Sequence, residues 1–311
     1  MTKLLAAVGP AIVAIAGLTA QRGAPIAHAY HPTAQACAAG CEQESPPARF
    51  SSQVQLVEVF ATVTDAEGKP VIGLRREDFE VYENDELQEV TAFAAGEFPL
   101  TVALGVDRSW SMAGDRLRLA KQASRAFLDS LKPGDRSMVI AIGGEADVIA
   151  PLTMDRVGQG YAIEALDPWS TTALHDAIIV ALDRLAPEAG RQALIVFSDG
   201  TNRYSRATAA QVVERARRSN ALIYLIAFGK VRPPLLAELA VITGGRSFLL
   251  RDVRELDRTL AAVARELRDQ YLLGYASSDP IEPDQPEWRA IRVAITKPGF
   301  RVRARDGYMS D

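Results

Sequence analysis

Pro99-Leu100-Thr101-Val102-Ala103-Leu104-Gly105-Val106 is an apolar run that ends at a carboxylate and continues as Asp107-Arg108-Ser109-Trp110-Ser111-Met112. Eight residues without a charge read as a buried strand, and the polar stretch after them as the loop at its exit. Leu117, Ala120, Phe127, Leu128 and Leu131 then fall on one face of a helix that stops at Lys132-Pro133-Gly134. The same grammar repeats. Strands are predicted at 137–142, 147–152, 193–197, 222–228 and 247–250, and helices at 173–185, 208–218, 235–242 and 253–271. Alternation of this kind predicts an α/β fold, a doubly wound and mostly parallel sheet with helices on both faces.

On either side the period changes from helical to two. Val54, Leu56, Val59, Ala61 and Val63 alternate with polar residues, with a phase change near Glu58, and Phe79-Glu80-Val81-Tyr82-Glu83 alternates again. Residues 290–296 and 300–304 read as a hairpin around Lys297-Pro298-Gly299. Residues 51–98 carry 3 basic and 11 acidic side chains, whereas residues 285–311 carry 6 basic and 3 acidic. Isolated hairpins are marginal in water. The two flanks are therefore expected to pair into one accessory β unit, with the α/β domain inserted between them.

The first 29 residues read as a secretory signal: Lys3, an uncharged run to Ala20, and small residues at Leu18-Thr19-Ala20 and Ala27-His28-Ala29. Residues 30–52 have linker composition and contain Cys37 and Cys41, either a small disulfide loop or two free thiols. The expected organisation is signal 1–29, disordered linker 30–52, β segment 53–96, α/β domain 97–273 and β hairpin 274–311. Export to the periplasm, the envelope or the medium follows, with no stable membrane span after the signal is removed.

The 311 residues are 48% hydrophobic and 24% charged, with net charge −4, a globular composition without the basic excess of a bulk nucleic-acid binder. Three His and two Cys, not clustered, exclude a zinc site of Cys/His type. Ligands of open α/β sheets bind beyond the carboxyl ends of the strands, where strand order reverses. There the chain offers Asp107, Ser109 and Ser111, then Ser170-Thr171-Thr172, then Ser198-Asp199-Gly200, with no glycine-rich phosphate loop. Hard oxygen donors from three loops suit Mg²⁺ or Mn²⁺. Such a shell, made mostly of neutral hydroxyls, leaves the cation electrophilic and open to a carboxylate from outside.

In this order and at these strand exits, Asp107-x-Ser109-x-Ser111, the Thr before Ala173-Leu174 and Ser198-Asp199-Gly200 resemble the metal-ion-dependent adhesion site of von Willebrand factor type A domains. The resemblance spans about residues 98–271, and the flanks look like bacterial exported proteins of this type. It implies metal ligation by Asp107, Ser109, Ser111, Thr172 and Asp199, and a protein partner that offers an acidic side chain. Two departures stand out. Thr171 occupies a position where glycine is common, and Arg108 and Trp110 are bulkier than usual; Trp110 either contacts a partner or packs on the loop.

Enzymatic readings lack a constellation. Asp107 has no second Asp at position 109, Ser198 has no G-x-S-x-G elbow, and His175 stands alone at a helix start, beside an Asp176 placed to face the helix dipole. The basic runs at 116–118 and 215–218 read as solvated helix faces. The sequence thus points to an exported, metal-dependent interaction module without catalysis. Its rival is an envelope scaffold whose metal site is vestigial or only stabilising.

Overall fold

The computed structural model describes residues 56–96, 98–279 and 285–310, all within one compact unit; the signal, the linker and both cysteines lie outside the described residues. At its centre is β5 (Leu100–Asp107), all eight of whose residues are buried. It pairs in parallel with β6 (Arg136–Ile142) on one side and β8 (Arg191–Ser198) on the other. The sheet continues through β9 (Leu222–Phe228) to β10 (Arg246–Leu250), and on the other side to β7 (Ala146–Thr153), an antiparallel edge. The chain leaves β5 for β6 and returns on the opposite side as β8. Strand order reverses there, at the exit of Asp107.

Alternation along β5 sends Val102, Leu104 and Val106 into one core and Ala103 into the other. The first core packs under α1 (Asp115–Asp129) and α6 (Leu256–Arg268), through Leu117, Phe127, Leu260 and Leu267. The second packs under α3 (Leu174–Leu185), α4 (Ala209–Arg217) and α5 (Pro234–Thr243), through Ile178, Leu182, Val212 and Leu239. Sheet and helix layers follow the sequence expectation. A further helix, α2 (Arg156–Glu164), was not legible: Gly158 and Gly160 interrupt it, and of its apolar residues only Ile163 is fully buried. It is fixed instead by its N-cap, Asp155, whose Oδ1 accepts from the Gly158 N–H at 3.0 Å.

Strands from both flanks form the accessory β unit. One sheet runs β13 (Arg301–Arg303), β1 (Leu56–Thr64), β11 (Tyr271–Ala276), β4 (Val90–Ala95); the other runs β14 (Gly307–Ser310), β12 (Glu287–Ile295), β2 (Phe79–Glu83), β3 (Glu86–Gln88). Val293 lies opposite Val81, and Ile295 opposite Phe79. Val57, Val59, Val63, Phe79, Val81, Leu273 and Ile291 share one core. Phe60 points from the other face of β1 toward the α/β core, with its ring 6.2 Å from Phe98. Val57, Val59, Ala61 and Val63 line the accessory core without a break, so the phase change read near Glu58 reflects the exposed Leu56 and not a change of face.

Three expectations are corrected. Residues 290–296 and 300–304 do not form a hairpin: β12 pairs with β2 and β14, while β13 crosses to β1 in the other sheet. Both segments bury side chains in the same core, and alternation fixes the face a strand buries, not its neighbour. The last helix ends at Arg268, and residues 271–273, read as the trailing end of the α/β domain, belong with 274–276 to a strand of the accessory unit between β1 and β4. Opposite charges meet across the flanks at Arg289–Glu83 (3.2 Å) and Lys297–Asp78 (2.8 Å).

Candidate functional site

Asp107 is the last residue of β5 and is completely buried. Its Oδ1 accepts from the Ser109 N–H at 2.9 Å and its Oδ2 from the Ser198 hydroxyl at 2.5 Å. The loop that follows turns back on itself, which brings the Ser109 and Ser111 hydroxyls to 3.0 Å. Ser198 ends β8, and its Oγ also accepts from the Gly200 N–H at 3.1 Å. Asp199, next along, holds its loop by accepting from the Thr201 N–H at 2.9 Å.

Burial pushes the Asp107 carboxyl above the ordinary carboxylate range, and the nearby charge of Asp199 adds to this; the bonds from Ser198 and Ser109 oppose it. Two carboxylates beside three hydroxyls, with no basic side chain among their hydrogen-bond partners, make a site where negative charge is only partly satisfied. That donor set fits a divalent cation. Among the described residues no group of three or more His, Cys, Asp or Glu could hold a metal, so an ion here depends on hydroxyl oxygens.

The third loop is stitched to the first through its backbone. The Trp110 N–H donates to the Ser170 carbonyl (3.1 Å) and the Trp169 N–H to that of Arg108 (2.8 Å). Ser170, not Thr171, takes the left-handed conformation at φ +62°. A Cβ on Gly143 would meet the Trp169 ring at 2.7 Å, and one on Gly144 the Ser170 Oγ at 2.5 Å. This glycine pair after β6 allows the close approach, and no motif in the sequence signalled it. Thr172 is buried, and its carbonyl accepts from the Arg203 and Tyr204 N–H groups at 3.0 and 3.2 Å. Side-chain hydrogen bonds thus join Asp107 to Ser198 and Ser109 to Ser111, whereas Thr172 is tied through its backbone to Arg203 and Tyr204 in the loop after Asp199.

The bulky residues part company. Arg108 lies over Trp169 at 5.0 Å and 3.6 Å from Asp147, whereas Trp110 is 66% exposed beside the site. Of the two readings of Trp110, packing on the loop is the one the exposure disfavours. His175 Nδ1 lies 3.0 Å from the Ala207 carbonyl, and Asp176 accepts from the Arg206 and Ala207 N–H groups; both organise the loop after Asp199. The sequence placed Ser198 in the Ser198-Asp199-Gly200 motif and set it aside as a nucleophile, without assigning it the bond to Asp107 that it makes.

Residues 102–202 match the family model described as von Willebrand factor type A domain, a span that holds Asp107, Ser109, Ser111, Thr172 and Asp199. The chain carries a von Willebrand factor type A domain. In sequence it is similar to UPF0353 proteins of Mycobacterium leprae (strain TN), 26% identical over 213 residues, and of Mycobacterium avium, 27% identical over 213 residues. Each match covers 57% of this chain and 63% of the relative, so the chain spans less than two thirds of those curated relatives. In fold the A domain and its flanks are similar to a von Willebrand factor type A protein of Catenulispora acidiphila, at TM-score 0.50 and 17% identity, covering 84% of this chain and 75% of that one. Proximal thread matrix protein 1 of the mussel byssus is similar at TM-score 0.50 and 17% identity, covering 60% of this chain and 51% of that one. Among the described residues no helix is long and apolar enough to cross a membrane.

Proposed function

We propose that this protein is an exported interaction module whose A domain holds Mg²⁺ or Mn²⁺ through Asp107, Ser109, Ser111, Thr172 and Asp199, and binds a partner's acidic side chain there. The observation that carries the reading is the buried Asp107 carboxylate. Its charge is disfavoured by burial and by Asp199, and a cation would remove both penalties. Bound there, the ion supplies an electrophile for a carboxylate oxygen. The residues themselves orient: Ser198 and the Ser109 N–H fix the Asp107 carboxylate, the turn pairs the two serine hydroxyls, and the Thr172 carbonyl fastens the neighbouring loop.

Catalysis is not part of the proposal. His175 is engaged with Ala207 and Asn202, and the Ser198 hydroxyl is given to the Asp107 carboxylate rather than to an imidazole. Export rests on Lys3 and the apolar run to Ala20. N-terminal sequencing of material from the culture should find a start after Ala20 or Ala29; an intact Met1 in a membrane fraction would refute it.

Calorimetry tests the metal. The wild-type protein should bind one equivalent of Mg²⁺ or Mn²⁺ and gain thermal stability from it, and Asp107→Ala should lose both effects. Equal affinity in the two proteins would remove Asp107 from the site.

A further inference from the structure

Beside Ser111 the same sheet edge opens into a cleft lined by Arg116, Phe228, Gly229, Lys230, Arg251, Asp252 and Val253. Its position is tied to the site described above, because Arg116 Nη1 donates to the Ser111 carbonyl at 3.1 Å. Its far wall is equally fixed: the Gly229 N–H donates to the Leu250 carbonyl at 3.1 Å, which holds the loops after β9 and β10 side by side. Three cationic side chains therefore face one concavity. All three are exposed, and none makes an ion pair with a carboxylate among the described residues.

The only acid in the lining does not offset them. Asp252 is held by its own loop, its Oδ2 accepting from Arg254 Nε at 2.8 Å and its Oδ1 from the Arg254 N–H at 2.9 Å. Neighbouring loops add to the imbalance. Arg203 and Arg232 are exposed and unpaired with any described carboxylate, and Pro233 abuts Gly200, so the Arg232 loop borders that of Asp199. Trp110, 66% exposed, supplies an apolar surface in the loop of Ser109 and Ser111, to which Arg116 is bonded. In a protein of net charge −4, local positive charge of this density facing an apolar floor is a recognition feature, since like charges so grouped repel one another unless a partner neutralises them.

We propose that the basic cleft formed by Arg116, Lys230 and Arg251 is a second acidic-residue subsite. The partner is then a polypeptide segment that presents one carboxylate at Asp107, Ser109 and Ser111 and further Asp or Glu side chains to the cleft. This rests on the reading of the metal site for the first carboxylate, and on the cleft alone for the others. The cleft charges act through water and over several ångströms, so their contribution falls with salt, whereas ligation at the metal is far less screened.

Two synthetic peptides test it: a Gly/Ser peptide with a single central Asp, and the same peptide with three Glu on one side of that Asp. In Mg²⁺ at low salt the full chain should bind the Glu-containing peptide about tenfold tighter, as expected for two or three exposed ion pairs acting together. Lys230→Glu with Arg251→Glu should abolish that preference while leaving Mg²⁺ affinity and single-Asp binding unchanged. Equal affinity of the wild-type chain for the two peptides, or no binding of the Glu-containing one, overturns the subsite. So does equally tight binding of a single-stranded oligonucleotide of the same charge, which would make the cleft a general polyanion site. A chain that fails to bind Mg²⁺ overturns the metal reading instead, and the cleft is then judged by whether the Glu preference persists in EDTA and disappears in the double variant.

Discussion

Asp107 and Ser198 stand 91 positions apart in the chain and 2.5 Å apart in the fold, which makes their hydrogen bond the clearest case of tertiary structure completing what a motif begins. The hydroxyl is the 2.5 Å donor to one oxygen of a buried carboxylate whose other oxygen accepts from the Ser109 N–H. Ser198→Ala leaves that buried oxygen without its donor, and the desolvation cost of such a loss is about 1–3 kcal/mol. The metal-free variant should therefore be less stable than wild type by that amount in urea denaturation near neutral pH. A change within about 0.5 kcal/mol would mean that water replaces the hydroxyl. Asp107, Ser109 and Ser111 were legible because residues at alternate positions in one loop carry their relationship in their spacing. Ser198 was not, because its role depends on parallel pairing of β5 with β8, in which Val106 lies opposite Phe197. Thr172 and Asp199 were located by resemblance to the family, and their hydroxyl and carboxylate remain assigned to the metal as a proposal.

The elements divide by how much of their partnership is local. Helices α1, α3 and α6 declare themselves through apolar spacing, and the central strands through unbroken apolar runs. In the accessory unit alternation gave the buried face of β2 and of residues 59–63, though not the exposure of Leu56, and the partner of each strand is chosen elsewhere: Ile295 meets Phe79 across more than two hundred residues, and β13 goes to β1 rather than back to β12. Charge makes part of that choice. Asp78, just before β2, sits below the ordinary carboxylate value of 3.8, held there by the Arg75 N–H first and by Lys297 second. A carboxylate whose folded value is depressed stabilises the fold above 3.8, and that contribution is lost as pH falls through the lower folded value. Lys297→Met should then lower the urea midpoint at pH 6, and the gap from wild type should close as pH drops below 3.8 toward 2. A gap that stays constant over that range would assign the effect of Lys297 to packing of its stem alone.

At the scale of the whole molecule, the two ends of the sheet serve different purposes. The accessory unit meets the α/β domain near the amino ends of its strands, where Phe60 packs on Phe98 and Arg191, the first residue of β8, donates to the Phe98 carbonyl. The candidate site occupies the carboxyl ends of β5 and β8, one strand length away. Buried Glu83 ties the unit together, accepting from Tyr275 at 2.7 Å, Tyr308 at 3.0 Å and Arg289 at 3.2 Å, so that β2, β11, β12 and β14 share one ionic centre. Removing residues 285–311 takes away β12, β13 and β14 together and leaves Glu83 buried beside only part of its partners, which is costly for a desolvated charge. The truncated chain should therefore open at β2, and a glutamate-specific protease should cut after Glu80 and Glu83, which the intact chain shields. The α/β domain keeps both of its cores, since residues 285–311 contribute nothing to either. Mg²⁺ affinity measured on the truncated chain should accordingly stay within about twofold of the intact value, as expected for distant sites without shared partners. Loss of metal binding on truncation would instead mean that the accessory unit holds the strand exits in register. Unchanged protection of Glu80 and Glu83 would mean that β2 is stable without its pairing to β12.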